Sequence, residues 1–163
     1  MVINYRFDTQ AIKESFYRIE PNLTNFWRTF FDNVFIIEPD MQKLFRHVDF
    51  ENLNALATRA ITIAVKNLNQ PSYLKYYLRG LGEYQFKVDI SEVYFPVFEQ
   101  AFLEALETYH LNNWNQELEN NWREFFHFAF DLISDGMTDA TLRREFEEFM
   151  EAQEKLDNYK KAA

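Results

Sequence analysis

The chain contains no cysteine, which excludes a disulfide, a thiolate metal ligand, a cysteine nucleophile and a thioether-linked pigment. Glycine and proline are nearly as scarce, with 3 and 4 in 163 residues. Sandwiches and barrels spend more of both on turns, so the scarcity favours long helices. No apolar run approaches the roughly 18 residues of a membrane-spanning helix. The N-terminal stretch has no basic-then-apolar signal pattern, so a cytoplasmic location is expected. Positive charge is also short: 17 Lys and Arg stand against 26 Asp and Glu, for a net charge of −9. That balance argues against binding nucleic acid, which needs a basic footprint, and against docking on an anionic membrane.

What the chain has in excess is rings. Its 18 Phe, 9 Tyr and 3 Trp make 18% of the residues aromatic, and so many rings need an interior. Hydrophobic residues total 47% and charged residues 26%, which fits one globular all-α domain. There is no internal repeat and no low-complexity segment.

Apolar positions recur in steps of three and four along most of the chain, the period of a helix with one buried face. Ile12, Phe16 and Ile19 mark a first helix over 9–20, with Thr9 as its expected cap. After Pro21, a second helix carries Leu23, Phe26, Trp27, Phe30, Phe31, Val34 and Phe35. Pro39 ends it and opens a short helix with Met41, Leu44 and Phe45. A fourth runs from about 50 to 68 with Leu53, Leu56, Ala57, Ala60, Ile61, Ala64, Val65 and Leu68. Its alanines allow close approach by another helix or a flat ligand. Pro71 opens a fifth, with Leu74, Tyr77, Leu78 and Leu81, which Gly80 and Gly82 weaken near its end. Beyond a connector over 86–90, Ser91 is the expected cap of a long helix to about Tyr109, with an irregularity at Pro96. The last core helix spans about 115–134, with Asp135 and Gly136 expected to stop it.

From Thr138 the character changes. Glu, Lys and Arg dominate, and Leu142, Phe146, Phe149, Gln153 and Leu156 alternate in steps of four and three. That is a heptad seam about two heptads long. It suits either a helix folded back on the domain or a dimerising or signalling helix. The expected organisation is thus a domain over 1–137 and a charged helical extension over 138–163.

The pieces fall in a familiar order. Phe30-Phe31-x-x-Val34-Phe35, then Pro39 and Leu44-Phe45, resembles the second and third helices of bacterial haemoglobins. Leu81-Gly82, Tyr94-x-x-Val97, the run Phe102-Leu103-Glu104-Ala105-Leu106-Glu107, Trp114 and Trp122 continue the likeness over roughly Ile12 to Met137. The resemblance implies a globin-like fold of seven or eight helices, with the tail as an additional C-terminal helix. It also implies a pocket lined by Phe31, Phe45, Leu53, Ala57, Leu81, Phe86, Phe98 and Phe102.

The likeness breaks at the iron site. The family's fifth-helix motif ends Leu-Gly-x-x-His, and that histidine binds haem iron. Here the stretch reads Leu81-Gly82-Glu83-Tyr84-Gln85, which puts Gln85 in the proximal position. A neutral amide oxygen is a far weaker iron ligand than imidazole. On the distal side the family often places Tyr and Gln, where this chain has Phe31 and about Leu53; Asn52 or Asn54 is the distal group if the alignment shifts by one residue. Of the three histidines, His47 is the candidate alternative haem ligand. His110 and His127 are expected to be partly exposed or capping, as is His47 itself otherwise.

Enzyme motifs are absent: there is no His-Glu-x-x-His, no Gly-rich phosphate loop and no nucleophile elbow. Glu104 with Glu107, and Glu147 with Glu148, suit a solvated helix face. The resulting expectation is a non-enzymatic, haem-free binding, interaction or sensor module. Its expected partners are another protein or a second copy, together with an apolar small molecule. The rival is a haem globin with unusual ligation that binds oxygen or another small gas.

Overall fold

The structure, a computed structural model, describes residues 4–85 and 91–162, apart from the side chain of Gln85. Among these residues there is no strand. The α-helices are α1 (Thr9–Ile19), α2 (Leu23–Ile37), α3 (Met41–Leu44), α4 (Phe50–Lys66), α5 (Pro71–Gln85), α6 (Phe95–His110) and α7 (Gln116–Ala162). Single 3-10 turns at Glu20–Asn22, Glu92–Tyr94 and Leu111–Asn113 join α1 to α2, lead into α6, and follow it.

Side chains cap the starts of α1 and α4. Asp8, not Thr9, caps α1: its carboxylate accepts from the amides of Gln10 and Ala11. An ionised acceptor at this position also favours the positive end of the helix dipole. Asp49 caps α4 in the same way, through Glu51 and Asn52. Ser91 caps the 3-10 turn at Glu92–Tyr94 and not α6 itself. The α-helix begins at Phe95, so Pro96 sits in its first turn, where its missing N–H costs nothing, and the expected irregularity is absent.

The apolar stripes meet in one core. Phe16, Phe26, Val34, Leu74, Ala101, Leu106 and Trp122 are all but sealed from solvent. α2 packs along α6, and α5 packs along α7. Two glycines set the second crossing. A Cβ on Gly82 would collide with the carbonyl oxygen of Ile133, and one on Gly136 with that of Arg79. Each glycine lets the facing backbone come within touching distance. Gly82 therefore does not weaken α5 near its end, because its missing side chain is what admits α7. Arg79 then pairs with Asp135 and Asp139, and Arg143 with Glu83, beside the crossing.

This explains why Asp135 and Gly136 do not stop the last helix. Gly136 keeps a negative φ, is buried, and serves the crossing. The C-terminal extension is continuous with the last core helix, and α7 runs unbroken for 47 residues, a rod of about 70 Å.

Candidate functional site

Five helices and the residue after α3 line a partly open cavity of about 190 Å³. Trp27, Phe30 and Phe31 come from α2, and Phe45 from the end of α3. α4 presents Leu53, Ala57, Ala60, Ile61 and Ala64, and α5 gives Leu78 and Leu81. Phe95, Phe98 and Phe102 of α6 and Phe126, Ala129, Phe130 and Ile133 of α7 complete the wall. The space exists because α4 turns methyl groups, those of Ala57, Ala60 and Ala64, toward rings on the other helices. A larger side chain at any of the three would begin to fill it.

The rings hold one another by edge contacts. Phe31 meets Phe45 at 5.7 Å and 61°, and Phe30 at 4.9 Å and 70°. Phe126 lies 4.7 Å from Phe130 and 4.8 Å from Phe102. Such tilted pairs suit the ring quadrupole, with a negative face set against a positive edge.

Among the described residues every lining side chain is hydrocarbon or aromatic. The sole polar atom among them, the indole nitrogen of Trp27, donates to the hydroxyl of Thr58 at 2.9 Å and is not free for a ligand. Such a lining disfavours water, and a cavity of about 150 Å³ of similar lining can take benzene. Pockets for drug-sized ligands start near 300 Å³.

Of the eight residues expected to line the pocket, Phe31, Phe45, Leu53, Ala57, Leu81, Phe98 and Phe102 all do so; Phe86 lies outside the described residues. Gln85 is the last residue of α5, with its backbone in the helix and its side chain outside the description. His47 is exposed and is not part of the cavity wall. Asn52 is committed to Asp49 at the α4 cap. Asn54 faces a shallow surface depression with Thr24, Glu51 and Thr58, so neither asparagine reaches the cavity. Leu78, Ala60, Phe95 and Phe130 are lining residues that the pocket expectation missed. Ala60 and Leu78 were already on apolar stripes. Phe95 and Phe130, whose rings are 4.4 Å apart, become visible only once α6 and α7 are placed side by side.

Among the described residues none that lines the cavity carries an atom that ligates iron, and no cluster of three or more His, Cys, Asp or Glu could hold a metal ion.

The opposite end of the core holds the buried polar groups. His110 is not partly exposed but 2% exposed, and Ser15 is 3% exposed. Trp122 donates to Ser15 Oγ at 2.8 Å, Ser15 Oγ lies 2.7 Å from His110 Nε2, and His110 Nδ1 lies 2.7 Å from the Leu106 carbonyl. A carbonyl only accepts, so Nδ1 carries the proton, and in the neutral ring Nε2 accepts from the Ser15 hydroxyl. Burial, assisted by the Arg18 charge and opposed by the hydrogen bonds to Leu106 and Ser15, moves the His110 pKa below its ordinary value. The Ser–His pair is not a nucleophilic site. Ser15 Oγ is sealed and already engaged by an indole, and no carboxylate orients the imidazole. His127, by contrast, is exposed and lies 3.2 Å from Glu99.

Comparison with known proteins agrees with this architecture. The family model described as Globin matches residues 28–133. Among solved structures, the chain is similar to a hexacoordinated heme protein from an anhydrobiotic tardigrade. The TM-score is 0.72 at 20% identity, over 83% of this chain and 96% of that one. At that identity the likeness concerns the fold alone. No functionally curated protein matches the chain. No helix among the described residues is long and apolar enough to cross a membrane.

Proposed function

The chain belongs to the globin family, and from that premise we propose that it is a haem-free, non-enzymatic member whose core cavity binds a small apolar molecule. The observation that carries this reading is the all-hydrocarbon lining of a 190 Å³ space, at the size suited to benzene-like or smaller guests. The bacterial-haemoglobin pattern of the sequence supports it by placing Gln85 in the proximal position. An occupant would contact α5 and α7 together through Leu81 and Ile133. The glycine crossing beside them is the natural route by which occupancy would reach the tail, which is the basis for a sensor role.

The test is an absorption spectrum of the purified protein with and without added hemin, beside thermal melts with benzene and xenon. The expected result is no Soret band from protein expressed with ample haem, and a rise in melting temperature with the apolar guests. Stoichiometric haem would overturn the reading. Gln85→His restores an imidazole at the family's position and should raise hemin affinity if the rings can yield.

The second reading is a haem globin with unusual ligation that binds oxygen or another small gas. What favours it is the match to a structure whose subject is a hexacoordinated heme protein. It requires a ligand from outside the cavity wall, and His47 would have to turn inward to serve.

A further inference from the structure

We propose that the exposed end of α7 pairs with the same segment of a second copy of this chain, as a parallel, in-register two-stranded coiled coil. This does not rest on the cavity reading. Every residue from Leu142 to Ala162 is exposed, about 30 Å of helix with no covering element. Its apolar side chains are left in the open: Leu142, Phe146, Phe149, Met150, Leu156 and Tyr159 are each 46–75% exposed.

The decisive feature is a change of face along one helix. Trp122, Phe125, Ala129, Ile133 and Gly136 point α7 toward its own domain. At about 100° per residue, the line they define continues through Ala140, Arg144, Glu147, Glu151 and Glu154. The seam of Leu142, Phe146, Phe149, Gln153 and Leu156 lies roughly 140° around the helix from that line. The tail residues that still approach the domain lie on the charged side: Arg143 pairs with Glu83, and Glu147 lies with it beside Gly80 and Tyr84. The seam therefore faces away from the chain's own core, and bending the helix back along its existing contact face would bury charge instead.

Three observations make the occupant a second copy. The 4-3-4-3 spacing needs a partner helix of the same period, and this tail is such a helix. Gln153, in the middle of the seam, carries both donor and acceptor, so it is satisfied by its own counterpart in register. An antiparallel overlap from Leu142 to Lys160, the next position of the same spacing, would set it against Phe149. In the parallel arrangement the flanking positions put Glu145 opposite Met150 and Ala152 opposite Asp157, so no like charges meet. The pairing would cover most of the six exposed apolar side chains. With the seams facing each other, the line of α7 residues that packs on its own domain points away from the partner helix.

Light scattering on the full chain should give twice the monomer mass. The double variant Phe146→Glu, Phe149→Glu should give the monomer mass with its melt unchanged when both proteins are held at the same low concentration. Because the chain has no cysteine, Leu142→Cys and Lys160→Cys, made separately, report the register. On oxidation each should cross-link to itself, while Glu151→Cys on the far side should not. A wild-type monomer at high concentration, or a double variant that stays dimeric, overturns the proposal. So does a monomer whose melt falls with the substitutions, since the seam would then be folded on its own body. Cross-linking only in a mixture of the Leu142→Cys and Lys160→Cys proteins overturns the parallel register.

Discussion

The two ends of the core use aromatic rings in opposite ways. Around Trp122 the packing is closed: the ring is fully buried, its nitrogen is bonded to Ser15, and His110 completes a chain ending on the Leu106 carbonyl. Around Ala57, Ala60 and Ala64 the packing is open, and fourteen larger side chains surround space they do not fill. Phe102 touches both ends, 5.6 Å from Trp122 and 4.8 Å from Phe126. A protein selecting for stability alone would close both, since each unfilled methyl-sized space forfeits dispersion contacts. Fixing one end with hydrogen bonds and leaving the other apolar and hollow is what a scaffold for a guest requires.

The comparison breaks most readily at the closed end. Trp122→Ala removes a sealed indole and leaves Ser15 without its donor, so it should cost about 3–5 kcal/mol. Phe98→Ala enlarges a space already present and should cost about 3 kcal/mol, at the lower edge of that range. Denaturant midpoints at constant m-value measure both. Equal losses would mean the cavity end is packed as tightly as the other.

Next in size is the seam between α5 and α7, which borders the open end. Gly82→Ala and Gly136→Ala each push a methyl into a backbone carbonyl and should cost about 1–3 kcal/mol as the helices separate. Gly80 is the internal control. It has nothing within 4 Å of where a Cβ would stand, so Gly80→Ala should stabilise by about 0.5–1 kcal/mol through helix propensity alone. If Gly82→Ala behaves like Gly80→Ala, the crossing is looser than described.

Those glycines show where sequence reasoning stopped. Periodicity located the helices because Phe26, Phe30 and Val34, or Ala57, Ala60 and Ala64, repeat at the helical step whatever they pack against. The family likeness named seven of the eighteen wall residues, and most of the others lie on the same stripes. The sequence pattern read Gly136 as a stop and Gly82 as a weak point, because the use of a missing side chain depends on a partner helix more than 50 positions away. The polar end was hidden for a similar reason. Ser15 lies three residues after Ile12, on the buried face, but a serine there gives no sign that Trp122 and His110 will meet it. The iron site is the reverse case: the likeness to bacterial haemoglobins singles out Gln85, while the described residues supply its helix and not its side chain.

The open end can be sharpened with a guest. If benzene occupies the cavity, a concentration tenfold over its Kd adds about 1.4 kcal/mol of stability by mass action. Ala60→Leu should abolish that gain while altering the stability of the guest-free protein by no more than about 1 kcal/mol, because the added carbons enter existing space. Thermal melts of both proteins with and without benzene test this. A shift that survives in Ala60→Leu would place the guest elsewhere.

The smallest expected effect returns to the closed end and is read against pH. The folded state holds His110 neutral, with its pKa below the ordinary histidine value of about 6.5. Between the lowered folded value and 6.5 the unfolded chain therefore binds more protons than the native one. Stability from this group is complete above about pH 6.5 and is lost as pH falls from there through the folded value. The groups around the ring are Arg18, which opposes a second positive charge, and Glu14 and Glu117, which border the same depression. His110→Gln keeps one donor and one acceptor but cannot titrate, and its melting temperature should vary less over that interval than that of the wild type. If His110→Gln retains the full slope, the acid-sensitive element is not the buried chain at Trp122.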